Sequence, residues 1–339
     1  MIHNIIESPF AEGNAVLKRK VNSFEFRKNS YDIIEHYYEC ETTHNEFTNS
    51  EVDNLNLSQV YNQYRDRFGI PFPCQIKSIR EKYGVSAKKM SEILGLGVHS
   101  YRLYEQGEVP SVGNGRLIMA AEEPREFKRF LLASEELIDP REFKKLVDRV
   151  DDLIERKRIP SYSDMIQSRI FTKIVPDHET GYRLPDLEKI SNVILFFSER
   201  TQTWKTKLNK LLFYSDFLAF KHLGVGISGL DYRAILRGPV PSNYEKMYDL
   251  ISDGDMLRRE DIEYEHGNFG SFFKPLLTFN ESLFEKEEIE IMQIVSDKFK
   301  YKKTEEIIKI SHQEPAWKEN EKDKKIISYR DYGFTLQAL

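Results

Sequence analysis

The stretch CQIKSIREKYGVSAKKMSEILGLGVHSYRLYEQGEVP, residues 74–110, decides how the chain folds. Ile76, Ile79 and Tyr83 fall three and four apart, which places them on one face of a helix from about Gln75 to Tyr83. Gly84 stops that helix, because glycine takes a left-handed conformation at little cost. Ser86 caps a second helix, Ala87 to Leu94, whose inner stripe is Met90, Ile93 and Leu94. Gly95-Leu96-Gly97 makes a turn, and a third helix runs from near Val98 to Gly107. Two helices crossing at a short glycine-containing turn form a helix-turn-helix, whose second helix enters the major groove of DNA.

The side chains suit that use. Lys88 and Lys89 sit in the first turn of the second helix, where a cation gains nothing from the helix dipole, so a phosphate is their expected partner. His99, Ser100 and Arg102 open the third helix, where base-reading groups belong, and Tyr101 beside them can stack, pack or bind phosphate. With Ser86 they make the candidate DNA-binding set. Glu105 is expected to pair with Arg80 and fix the helix crossing.

This segment resembles the Xre-type helix-turn-helix, and more closely its MqsA-like antitoxin variant. The resemblance rests on Arg80-Glu81, Ser86, Leu94-Gly95, Tyr104-Glu105-Gln106-Gly107 and Pro110-Ser111. Ala87 stands where Xre proteins usually carry a glutamine that braces a phosphate or base contact. The resemblance implies double-stranded operator DNA as a partner, and a homodimer would match a palindromic site.

At 339 residues the chain is long enough for two or three domains, each with its own core. The net charge of -5 does not announce nucleic acid, but its distribution is uneven: residues 71–120 carry about +3 and residues 1–70 about −4. Two cysteines, Cys40 and Cys74, are no disulfide framework and fit a reducing cytoplasm. The N-terminus shows no apolar signal core, and the run Val193 to Phe197 is far too short to span a bilayer, so a cytoplasmic protein without a membrane partner is expected.

In residues 1–70, Val16–Val21 and Phe24–Arg27 suggest strands joined at Asn22-Ser23. Tyr37–Glu41 suggests another, and Leu57 to Phe68 looks helical. In MqsA-like antitoxins this region is a small β-rich zinc domain. Here Cys40-Glu41-Thr42-Thr43 lacks the second ligand of a C-x-x-C pair, and His44 cannot complete a tetrahedron, so no metal or other cofactor is expected. Pro124 and Pro140 mark helix starts or breaks. Pro140 to Lys157 carries Phe143, Leu146, Val147, Val150 and Ile154 on one stripe of an otherwise charged helix, an expected arm, dimer contact or surface helix. Pro160, Pro176, Gly181 and Pro185 mark a boundary region.

Beyond residue 187 a second module begins. Leu187 to Glu199 and Trp204 to His222 read as helices, the latter apolar nearly all round and therefore central to its domain. Leu230 to Leu236 alternates like a strand, and Gly238-Pro239-Val240-Pro241 reads as a rigid turn. Ser242 and Glu245 read as a capping box. The module resembles the Panacea, or SocA-like, domain through Lys207, Leu208, Lys210, Leu211, Leu212, Tyr214, Asp216, Gly229, Tyr232, Gly238 to Pro241, Tyr244 and the late Ser311-His312 and Pro315-Ala316-Trp317. Panacea proteins are antitoxins that neutralise varied protein toxins; one relative instead delivers its toxin to a protease as an adaptor. The resemblance implies a cognate protein toxin, met by Tyr214, Asp216, Tyr232, Arg233, Pro239, Asn243, Tyr244 and Trp317. Asp216 is expected to pair with Arg233 or Lys210.

No G-x-S-x-G, phosphate loop or H-E-x-x-H is present, and His222, His266 and His312 are scattered, so no enzyme is expected. The expected fold is α+β, predominantly α. Residues 1–70 form a β-containing region, 71–135 a helix-turn-helix bundle, 136–186 a helical linker or arm, and 187–339 a helical Panacea-like domain with a few short strands. The expected role is an antitoxin that represses its own operon, in the setting of toxin–antitoxin systems and phage defence.

Overall fold

The computed structural model describes residues 1–158, 168, 170–171, 173–253, 256–263 and 269–339. Pro160 and His266 lie outside them. The fold is α+β and predominantly α. The chain divides into two compact units: residues 1–23, 32–59 and 167–339 form the first, and residues 24–31 and 60–166 the second.

Strands β1 (Ile5–Glu7), β2 (Asn14–Phe26), β3 (Asn29–Cys40) and β4 (Glu46–Phe47) form one sheet in that order, with residues 24–31 of β2 and β3 counted in the second unit and the rest in the first. β2 runs unbroken through Asn22-Ser23, so the expected turn there is corrected. The hairpin turns instead at Arg27-Lys28, in the second unit, both at positive φ (48° and 64°) as a two-residue primed turn requires. Two side chains at such angles are strained, and Arg27 is held there by donating to the carbonyls of Val109 (2.6 Å) and Pro110 (2.7 Å).

Helix α1 (Ser50–Phe68) does something the sequence did not announce. Asn56 accepts from the His36 amide and donates to the His36 carbonyl, each at 2.9 Å. Gln59 makes the same pair with Ile34, at 3.0 and 2.9 Å. Each amide side chain copies the hydrogen bonding of a neighbouring strand, so this part of β3 offers no free edge.

The rest of the first unit is built on α9 (Lys205–Leu223), buried along Lys207–Phe220, as its all-round apolar character foretold. Around it lie α8 (Leu187–Ser198), α11 (Lys286–Phe299), α12 (Thr304–Ser311) and the short α13 (Pro315–Lys318) and α14 (Tyr329–Tyr332). β5 (Tyr232–Ile235) pairs with β6 (Gly238–Pro241), so Gly238–Pro241 is a strand and the turn is Leu236-Arg237. Two prolines are tolerated in β6 because β5 is its one strand partner in this two-stranded sheet. The other edge of β5 is closed by residues 325–327, through Ala234 to the Lys325 carbonyl and Ile327 to the Tyr232 carbonyl. α10 (Tyr244–Asp253) follows, and Ser242 donates to Asp231 rather than closing a capping box with Glu245. A second hairpin joins β7 (Leu257–Glu263) to β8 (Phe269–Pro275).

The second unit contains α2 (Pro73–Tyr83), α3 (Ala87–Ile93), α4 (Ser100–Glu105), α5 (Val112–Ala120), α6 (Pro124–Ala133) and α7 (Pro140–Arg158). Pro124 and Pro140 each open a helix, where the missing N–H costs nothing. The core unites Ile76, Ile79, Tyr83, Met90, Ile93, Tyr101, Phe127 and Leu131 with Leu146 and Val150 of α7. The stripe on α7 is thus covered within its own unit, which corrects the expectation of a free linker or arm for that helix.

Candidate functional site

In the second unit, α3 and α4 are joined across Gly95, whose φ of 64° lets the chain reverse. Ser86 accepts from the Lys89 amide at 3.1 Å and caps α3. Arg80 meets Glu105 at 2.6 Å, as expected, and also donates to the Val85 carbonyl at 3.0 Å. One guanidinium therefore ties α2, the start of α3 and the end of α4 together, and a half-buried pair of this kind fixes the angle at which α4 is presented.

Of the DNA-binding candidates, Ser86, Lys88, His99 and Arg102 are exposed and Ser100 is half-buried. Val98 and Leu103 are also exposed on this face. Two candidates are corrected. Tyr101 is fully buried; its hydroxyl donates to the Ile76 carbonyl at 2.7 Å and burial pushes its pKa up, so it is a core residue that cannot touch a base. Lys89 is half-buried and paired with Glu92 (2.9 Å) and Glu142 (3.4 Å), so a phosphate would have to displace two carboxylates. Helical periodicity assigns Tyr101 to the inner face only once the axis of a six-residue helix is known.

In the first unit, the centre is Asp216. Its Oδ1 accepts from the amides of Ile227 and Ser228, both at 2.8 Å, and its Oδ2 from the hydroxyls of Tyr232 (2.6 Å) and Ser228. Burial pushes the carboxyl's pKa up, and the four donors pull against that shift. The expected pairing of Asp216 with Arg233 or Lys210 is therefore corrected: it clamps the 227–228 loop and β5 to α9. Lys210 is fully buried and donates to the Pro239 carbonyl at 2.7 Å, and burial lowers its pKa to about 7. Tyr214 donates to Glu314, which also accepts the amides of Gln337 and Ala338.

The toxin-binding candidates divide accordingly. Tyr214, Asp216, Tyr232 and Pro239 are buried, so their expected place on a partner surface is corrected. These are the residues that make the motif recognisable, and they do so by holding the fold. Arg233 is exposed, while Asn243, Tyr244 and Trp317 are half-buried. The Trp317 ring stacks on His312 at 3.8 Å and donates to the Ile235 carbonyl at 2.8 Å. Asn243 donates to the Ile170 carbonyl at 2.9 Å.

A cavity of about 320 Å³ opens where the start of α9, the β5–β6 hairpin, the start of α10 and β8 converge. Its walls include Trp204, Lys205, Asn209, Arg237, Tyr244 and Glu245. Of these only Tyr244 was expected to meet a partner. The others come from three separated segments, and nothing in their spacing signals that they meet.

By fold, residues 187–339 of this unit wrap short helices and hairpins around one buried central helix. Residues 208–318 match the family described as "Antitoxin SocA-like, Panacea domain". The match begins within α9 and ends at α13, so it contains the Asp216 clamp, the β5–β6 hairpin and most of the cavity wall. No curated protein and no solved structure matches the chain. No helix among the described residues is long and apolar enough to cross a membrane.

Proposed function

We propose that this protein is an antitoxin that neutralises a cognate protein toxin by direct binding through residues 187–339. It also represses its own operon by placing α4, within residues 71–135, in the major groove of operator DNA. It acts in the cytoplasm by occupancy and not by turnover. The Panacea match over residues 208–318 carries the toxin half of this reading. The DNA half is supported by the exposed His99 and Arg102 on a helix whose angle is set by the Arg80–Glu105 pair. A protein dimer would read two half-sites about one helical turn apart.

The test is co-expression with the adjacent small reading frame. That frame alone is expected to arrest growth, and this chain to restore it through a stoichiometric complex. Absence of rescue overturns the antitoxin reading. Faster disappearance of the toxin in the presence of this chain would assign the adaptor role instead.

A further inference from the structure

We infer that the cavity between the starts of α9 and α10 is an acidic-residue receptor: it takes one carboxylate side chain from a docked segment of a partner polypeptide. This inference rests on the antitoxin reading and names the chemistry by which the partner is held. Three features converge on the cavity. First, α9 is a 19-residue helix that starts at its wall, and its N-cap residue Trp204 provides no side-chain cap, so the positive end of the helix dipole lies at this wall. Second, Asn209 lines the cavity while only 3% exposed; its Oδ1 accepts the Tyr248 hydroxyl at 2.8 Å, which leaves its Nδ2 a donor with no acceptor among the described residues. A donor left without a protein acceptor at a cavity wall can pair with an acceptor that enters the cavity. Third, Arg237, at the β5–β6 turn, makes no ion pair among the described residues, and its fork is shaped to hold a carboxylate through two hydrogen bonds.

Charge and size select the occupant. Lys205 is neutralised by Glu245 at 2.7 Å, so the wall keeps one uncompensated cation, Arg237. One positive charge balances one carboxylate and leaves a phosphate dianion half paired. The volume suits one or two side chains and is at the lower limit for a free small-molecule ligand. Trp204 and Tyr244 supply aromatic walls, and Leu236, 76% exposed beside Arg237, offers an apolar contact for the residue next to the acid. The segment that fits is an Asp or Glu flanked by an apolar side chain.

The experiment is panning of a randomised dodecapeptide display library on the immobilised full chain, with Arg237→Glu in parallel. Arg237 is exposed at a turn, so the variant is expected to fold. Peptides enriched by the wild type should share an acidic position next to an apolar one. Synthetic copies should bind R237E at least about tenfold more weakly, and panning on R237E should select Lys or Arg at that position. In a W317F background Trp204 is the one remaining tryptophan, and the acidic peptide should shift its emission. No enrichment, enrichment without an acidic position, equal binding to R237E, or binding without a Trp204 response would each overturn the inference. Growth rescue by the toxin assay is scored separately: wild-type chain that fails to rescue defeats the antitoxin reading, whereas rescue with a negative panning result defeats this site alone.

Discussion

Asp216→Ala tests whether the most recognisable residue of the Panacea-like segment is scaffold or contact. The substitution leaves four donors without an acceptor: two backbone amides, which cannot turn away, and two hydroxyls, of which that of Ser228 can rotate. A buried donor left unpaired costs about 1–3 kcal/mol, so the two amides alone put the loss at about 4 kcal/mol. Asp216→Asn keeps one oxygen for the amides and asks only that the hydroxyls of Ser228 and Tyr232 become acceptors; it also removes a buried charge, so its cost is about 1 kcal/mol. Urea unfolding followed by tryptophan fluorescence is the assay, because both tryptophans, Trp204 and Trp317, lie in the first unit. With a slope of about 3 kcal/mol per molar, D216A moves the midpoint down by about 1.3 M and D216N by about 0.3 M. A D216A midpoint within about 0.3 M of wild type would refute the clamp. So would a D216N variant as damaged as D216A, which would make the charge, and not the acceptor geometry, the important term.

Other consequences are as direct. Arg102→Ala should weaken operator binding by about 1–3 kcal/mol in fluorescence anisotropy without lowering toxin neutralisation, whereas Tyr101→Phe should leave binding intact and cost about 1 kcal/mol of folding stability. Operator affinity should fall steeply with added salt; a flat response would remove the phosphate contacts. Asn56→Ala unpairs the buried amide and carbonyl of His36, so exchange of the His36 amide should accelerate and the first unit should lose about 2 kcal/mol. His36 is buried and His222 half-buried, and desolvation lowers both pKa values to about 4, below the ordinary 6.5. Between those values the unfolded chain binds more protons than the folded one, so the fluorescence midpoint should drop as pH falls from 6.5 towards 4, and a constant midpoint would contradict the desolvation of both rings.

The sequence by itself determined the elements with local causes. Gly84 and Ser86 bracket α2 and α3, Pro124 and Pro140 start α6 and α7, and the apolar circumference of residues 205–223 makes that helix central. It also foretold the Arg80–Glu105 pair, because a long cation and a carboxylate on adjacent faces of a compact helix trio have few other partners. The tertiary structure decided which side of each element is inside. A one-position difference in phase turns Tyr101 from a candidate DNA contact into a core residue, and a six-residue helix carries too little periodicity to set that phase. The Panacea-like motif was legible, yet its meaning was inverted: Tyr214, Asp216 and Tyr232 are recognisable because burial with mutual hydrogen bonds admits few substitutes, and they hold the fold. The amides of Asn56 and Gln59 on β3, the Arg27-Lys28 turn and the cavity of Asn209 and Arg237 had no sequence signal. Each depends on groups far apart in the chain, and hydrogen bonds over such separations leave no periodicity to read.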